Sequence, residues 1–257
     1  LADGEIWMCD PASNGSKVPL QLDADIPIQQ LFTDNAGNLL VLSVSDTAYD
    51  IYSVNVDESS ISFAYKIMSD NAPREDINQV LWQDGQIIIE FGSDAPRTSD
   101  ILYYDTASGE TKSEDGCDTT NLTPYSDRML LGLQQRYDEG LSYAVVTLDI
   151  DSKEISTICS AAEFPEAISF DPKENQIITF TTPNANVFST SGTPQKQCYI
   201  PVTYDAYSGR CCAVNTNQLF AISDGNRLLV VDLVAEQSTS GLQITRFNGE
   251  GPETKRF

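Results

Sequence analysis

The feature that most constrains this chain is a long-range repeat. An apolar strand follows a polar turn in "QQLFTDNAGNLLVLSV" (29–44), "NQVLWQDGQIIIEF" (78–91), "LTPYSDRMLLGL" (122–133), "AISFDPKENQIITF" (167–180) and "GRCCAVNTNQLFAIS" (209–223). The first residue after each turn is Leu39, Ile87, Met129, Ile177 and Leu219, at spacings of 48, 42, 48 and 42 residues. We label this unit A–B. A second unit, C–D, follows each copy: "IYSVNVDESSISFAY" (51–65), "ILYYDTASGETKSE" (101–114), "AVVTLDIDSKEISTI" (144–158), "VFSTSGTPQKQCYI" (187–200) and "RLLVVDLVAEQSTS" (227–240). Such a period marks an array of supersecondary units, none of which buries its apolar face alone.

Each segment is short, rich in Val, Ile, Tyr, Phe and Thr, and bounded by Gly, Asp, Asn or Ser. That is the chemistry of strands joined by tight turns. The best helix candidate, "STICSAAEFPEA" (156–167), is interrupted by Pro165 and reads as strand end plus loop. Four strands per period predict an all-β fold: a β-propeller of four-stranded antiparallel blades spanning 1–257 as a single domain. A two-sheet sandwich does not require a period kept over five copies. A β-helix repeats at a shorter interval.

Five blades are clear. The opening stretch "GEIWMCDPASNGSK" (4–17) matches a sixth C–D unit without its A–B half. Two readings stay open, a fragment of a longer chain or a ring with an incomplete sixth blade. In the second, the tail "LQITRFNGEGPETKRF" (242–257) closes the ring by pairing with the N-terminal segment.

The turns "TDNAGNLLVL" (33–42) and "WQDGQIII" (82–89) resemble the Asp-x-x-Gly-Asn-hydrophobic step of NHL-like and YVTN-like propeller repeats. "YYDTASGE" (103–110) resembles their strand-Asp-x-x-Thr/Ser-Gly step. The copies "YSDRM" (125–129) and "NTNQL" (215–219) depart from the pattern by lacking the glycine. The resemblance implies a propeller fold. More broadly, the chain is similar to the extracellular propeller parts of bacterial surface lipoproteins, which implies an extracellular or cell-surface location.

Charge and composition exclude several functions. Lys plus Arg number 15 against 38 Asp plus Glu, a net charge of -23. That sign opposes nucleic acid and anionic membrane surfaces. No apolar run approaches the length of a membrane span. The acids are spread along the chain, so solubility and self-repulsion are the plain reading, and a monomer is expected. His is absent, which removes His-based triads, His general bases and His-ligated zinc. Cys9, Cys117, Cys159, Cys198, Cys211 and Cys212 show no paired C-x-x-C spacing, so no cofactor or metal is expected. "LDIDSKE" (148–154) offers carboxylates, but it coincides with a repeated turn, so turn capping is preferred to calcium. Trp7 and Trp82 are expected to pack between blades. Asn14 and Asn121 head glycosylation sequons, relevant only in a eukaryotic secretory pathway.

In a propeller, A–B and C–D turns share one face, and B–C loops and D–A connections share the other. Length and chemical variety accumulate on the second face. Its candidate ligand-binding residues are Asp94, Arg97, Asp100, Arg136, Tyr137, Asp138 and Glu139. Arg offers a planar fork to carboxylates, and Tyr a flat surface to a sugar or side chain. The expected function is a non-catalytic module binding a protein, a glycan or another polar small molecule. The alternative is a carboxylate-dependent enzyme acting on glycans or lactones, which needs no His.

Overall fold

The computed structural model describes residues 6–8, 18–20, 26–69, 72–93, 97–137, 141–161, 163–181 and 184–199, and five strands between 211 and 256. The chain divides into two compact units: Leu1–Met8 with Lys17–Thr120, and Cys9–Ser16 with Asn121–Phe257. Every described element is a β-strand, and each A–B/C–D copy forms one antiparallel sheet.

In the first unit, β1 (Ile6–Met8) and β2 (Val18–Leu20) form a two-stranded sheet. Blade 1 follows in the order β3 (Gln30–Thr33), β4 (Leu39–Val44), β5 (Ala48–Asn55), β6 (Ser60–Met68). Blade 2 is β7 (Ile77–Gln83), β8 (Gln86–Gly92), β9 (Ser99–Asp105), β10 (Thr111–Cys117). In the second unit, blade 3 is β11 (Thr120–Ser126), β12 (Met129–Arg136), β13 (Ser142–Asp149), β14 (Ile155–Ala161). Blade 4 is β15 (Ala167–Asp171), β16 (Gln176–Thr181), β17 (Asn184–Ser189), β18 (Pro194–Tyr199). Successive blades meet near their first strands within each unit: β3 lies against β7, the second strand β12 of blade 3 against β15, and β15 against β19 (Cys211–Val214).

The fifth sheet has one strand more than the other blades. It has five strands: β19, β20 (Leu219–Asp224), β21 (Arg227–Asp232), β22 (Gln243–Asn248) and β23 (Gly251–Arg256). Among the described strands, the tail pairs within blade 5. β22 completes blade 5, and β23 folds back on β22 with Asn248 opposite Gly251. The N-terminal hairpin pairs with itself, Ile6 opposite Leu20. The reason is local, because a two-residue connection beginning after "FN" returns the chain onto its own preceding strand more cheaply than a long-range pairing does.

The repeating aspartate is a turn cap. Asp34 Oδ1 accepts from the N–H groups of Ala36 and Asn38, each at 2.9 Å. Asp105 Oδ1 accepts from Ala107 (3.0 Å) and Ser108 (2.7 Å), and Asp149 Oδ1 from Asp151 (2.9 Å) and Ser152 (2.8 Å). Asp171 serves Lys173 and Glu174 in the same way, as Asn55 serves Asp57 and Glu58. The C–D copy of blade 4 has no Asp, and there Ser189 Oγ accepts from the Thr193 N–H at 3.1 Å. These side chains satisfy turn donors that no strand partner reaches. The carboxylate of "LDIDSKE" is thus engaged in its own turn.

Blades pack face to face. One face of blade 1 (Phe32, Leu40, Leu42, Tyr49, Ile51, Ile67) is continuous with Ile77, Val80, Ile87, Ile89 and Phe91 of blade 2. Tyr65 and Trp82 join this layer with ring centroids 6.0 Å apart, the packing role expected of Trp82. The side chain of Trp7 lies outside the described residues. Leu131, Leu133 and Val145 of blade 3 pack likewise with Ile168 and Ile177 of blade 4. Each fully buried aliphatic side chain contributes about 1.5–3 kcal/mol. Cys117 and Cys198 are buried and Cys159 is half-buried, so they pack as small apolar residues. Cys9, Cys211 and Cys212 have side chains outside the described residues.

Candidate functional site

The expected separation of loops holds within each unit. On one end, A–B and C–D turns meet: Thr106 N donates to Gly85 O at 3.0 Å, and Ile150 N to Arg128 O at 2.9 Å. On the other end, B–C loops meet D–A connections. Ser69 N donates to Thr47 O (3.3 Å), Gly92 N to Asp76 O (3.2 Å) and Glu166 N to Phe180 O (2.7 Å).

At this second end of blade 2, Arg74 organises an ion cluster. Its Nε donates to Asp76 Oδ1 at 2.9 Å, and its Nη1 to Asp100 Oδ2 at 2.6 Å. Its Nη2 donates to Asp76 Oδ2 (2.5 Å) and to the Gly92 carbonyl. The guanidinium carbon stands 4.8 Å from the centre of the Phe91 ring, and the Arg74 N–H donates to the Tyr49 hydroxyl at 2.7 Å. Asp100 Oδ1 also accepts from the Gly116 N–H at 2.7 Å. Hydrogen bonding from Arg74 holds the Asp76 carboxyl below its ordinary range. Partial burial pushes Asp100 upward, but the Gly116 N–H and Arg74 outweigh it and hold that carboxyl low as well. Both acids are therefore fixed as carboxylates. The fork of Arg74 is spent on protein acceptors, so its role is to brace the D–A connection against the B–C loop.

The seven sequence candidates separate. Asp100 belongs to the brace. Arg97 is exposed in the same B–C loop, with a left-handed backbone at φ 64°, a conformation uncommon for a non-glycine residue. In the other unit, Arg136 Nε donates to Gln134 Oε1 at 2.6 Å and its guanidinium reaches Thr157 Oγ1. Tyr137 is 66% exposed and accepts a hydrogen bond from Gln135, and Leu141 is 59% exposed across the same loop. Asp94, Asp138 and Glu139 lie outside the described residues. Asp100 and Arg97 thus stand in one unit, and Arg136 and Tyr137 in the other.

Sequence reasoning missed Arg74 and Glu90. Arg74 sits in "APRED" among acids, and that mixed charge was the available signal. Glu90 hides in the apolar run "IIIEF", yet it is 1% exposed. Its carboxylate accepts from Ser99 Oγ at 2.6 Å and from the Gln79 amide. On the same sheet, Tyr103 Oη lies 3.2 Å from Glu114 Oε2, and burial with the neighbouring acids pushes its hydroxyl pKa upward. The Asn121 amide donates to Glu166 O at 3.1 Å, so this sequon nitrogen is engaged in the fold.

No family model matches the chain, and no curated protein matches it. Solved structures do. The Dos1 propeller aligns with a TM-score of 0.53 at 10% identity, over 89% of this chain and 66% of that one. The XC5397 gluconolactonase of Xanthomonas campestris aligns at 0.53 and 14% identity, over 83% and 71% of the two chains. Hydrazine synthase of Kuenenia stuttgartiensis aligns at 0.53 and 9% identity, over 99% and 80%. The chain spans about two thirds of the Dos1 propeller. At these identities the likeness fixes the fold alone: the chain is a β-propeller repeat protein.

Proposed function

We propose that this β-propeller is a non-catalytic binding module of a secreted or cell-surface protein, engaging a protein, a glycan or another polar ligand through its B–C and D–A loops. The observation that carries this reading is the Arg74 brace. It fixes the loops of blade 2 before any ligand arrives, which lowers the ordering cost of binding. It also holds Asp76 and Asp100 as carboxylates. Glycoside hydrolysis instead requires one acid kept protonated near neutral pH. Exposed Arg97 and Tyr137 and half-buried Arg136 supply the chemistry for contact, and Asp94, Asp138 and Glu139 belong to the same loops.

The test is a glycan array and an acidic and basic peptide array probed with the labelled chain, followed by Arg97→Ala, Arg136→Ala and Tyr137→Ala. The expected result is a ligand bound through at least one loop, weakened about tenfold or more by the cognate substitution. Equal binding by all three variants overturns the loop-face reading. Turnover of gluconolactone or of nitrophenyl glycosides, lost in Asp100→Asn, overturns the non-catalytic reading.

A further inference from the structure

The outermost strand of blade 1 is unlike the others. β6 ends its sheet, with β5 as its strand neighbour. It runs for nine residues and carries Phe63 and Met68, each 58% exposed. Among the described residues, the outer strands β10, β14 and β18 carry no exposed large apolar side chain. Each has a recognisable shield. β10 bears Lys112, Glu114 and Asp115. β14 is blocked at its middle, since a Cβ placed on Gly192 of blade 4 would meet Ile158 O at 2.4 Å. β18 begins with Pro194. Charges, prolines and covering segments are how sheet edges are protected from further pairing.

A register shift aligns the exposed residues of β6. Phe63 lies opposite Tyr52, Lys66 opposite Asp50 and Met68 opposite Ala48, because Ala64 is an extra residue between Ile51 and Tyr52 of the ladder. Residues 63, 66 and 68 therefore share one face of the rim. The Phe63 ring stands edge-on to Tyr52 at 5.7 Å, and Lys66 Nζ is 3.8 Å from Asp50. Exposed Asp57 and Glu58 lie in the turn that leads into β6, beside Val56 at 39% exposure.

Blade 5 shows what this position accepts. There the chain adds a fifth strand, β23, antiparallel to the fourth, with Arg256 opposite Gln243 and Lys255 opposite Ile244. The strand so added ends in two of the chain's 15 cations, placed at the start of the fourth strand. The same placement on β6 puts a strand's terminal cations beside Asp57 and Glu58.

We propose that β6 is a docking edge for an extended partner segment of about six residues, which adds as a fifth antiparallel strand to blade 1. The segment alternates apolar side chains, which cover Phe63 and Met68, and ends in Lys or Arg, which face Asp57 and Glu58. Backbone hydrogen bonds supply affinity, and the side-chain rows supply specificity. The net charge of -23 favours a basic segment over a second copy of this chain. This surface is separate from the loops of the proposed function, so either can fail alone.

The experiment titrates the full chain into fluorescein-labelled acetyl-TVTVTVKR-amide. Three control peptides accompany it: one ending in Glu-Glu, one with N-methylated valines, and one with Lys-Arg moved to the front. Saturable binding is expected for the first peptide only, weakened about tenfold or more by Phe63→Ser with Met68→Ser and severalfold by Asp57→Lys with Glu58→Lys. Both double variants alter exposed side chains, and their melting curves confirm folding. No binding of the first peptide overturns the proposal, as does equal binding of the N-methylated peptide or indifference to the Phe63 and Met68 changes. A concentration-dependent dimer in sedimentation that disappears in the Phe63/Met68 variant also overturns it, because the occupant is then a second copy.

Discussion

Ile67 and Met68 are consecutive residues of β6, and their surroundings are opposite. Ile67 is fully buried in the layer shared by blades 1 and 2, whereas Met68 is 58% exposed on the other face of the same strand. The strand alternates, so each face is decided by what lies against it. Blade 2 covers one face through Ile77, Ile87 and Phe91. The inner half of the other face is lined by Ile28, Val41 and Val54, and its outer half is left to Phe63 and Met68. Hydrophobicity of the residue does not separate the two cases. The presence of a neighbouring sheet does.

The sharpest way to break this comparison is truncation. Ile67→Ala is expected to cost about 4 kcal/mol, because it leaves a cavity between two sheets. Met68→Ala is expected to stay within about 0.5 kcal/mol. Urea unfolding of the full chain measures both, and similar costs would refute the covered-versus-open distinction.

Two turn glycines extend it. Gly37 and Gly192 have nearly the same left-handed backbone, φ +82° and +79°. A Cβ on Gly37 meets nothing within 4 Å, while one on Gly192 meets Ile158 O at 2.4 Å and Cys159 Cβ at 2.9 Å. Gly37→Ala carries the conformational penalty alone, about 1 kcal/mol. Gly192→Ala adds displacement of β14 and is expected to cost about 3 kcal/mol. Equal shifts in the urea midpoint would show that β14 moves away without resistance.

The Arg74 brace gives a smaller effect with a pH signature. Arg74→Met is expected to cost about 1–2 kcal/mol at pH 7, a range reduced because the arginine is 39% exposed and solvent screens it. Asp76 and Asp100 titrate below the ordinary value of 3.8 in the folded protein. The unfolded chain therefore takes up protons first as pH falls. The contribution is full above the unfolded value and disappears as pH drops through the folded ones. Melting temperatures of wild type and variant should converge as pH falls below the ordinary carboxylate value of 3.8, and a constant gap would remove the ion cluster from the explanation. The smallest effect belongs to Phe63→Ser, which should leave the melting temperature nearly unchanged while removing an exposed apolar surface.

The sequence by itself determined the repeat, the strand content and the turn chemistry. These are local properties. Period 2 apolar patterning specifies strands, and Asp34, Asp105 and Asp149 cap turns using N–H groups two to four residues away. Even the substitution of Ser189 for the missing Asp follows from a local donor. The candidate site was legible only as a set of loops. Asp100 was visible, but its partners Arg74 and Gly116 stand 26 and 16 residues away, beyond any local pattern. Two outcomes belonged to tertiary structure alone. Glu90 was buried because strands on both sides supplied Ser99 and Gln79 as donors. Phe63, Lys66 and Met68 came to share a rim because one extra residue in the ladder changed the alternation, and a one-residue shift in a strand moves every later side chain to the other face.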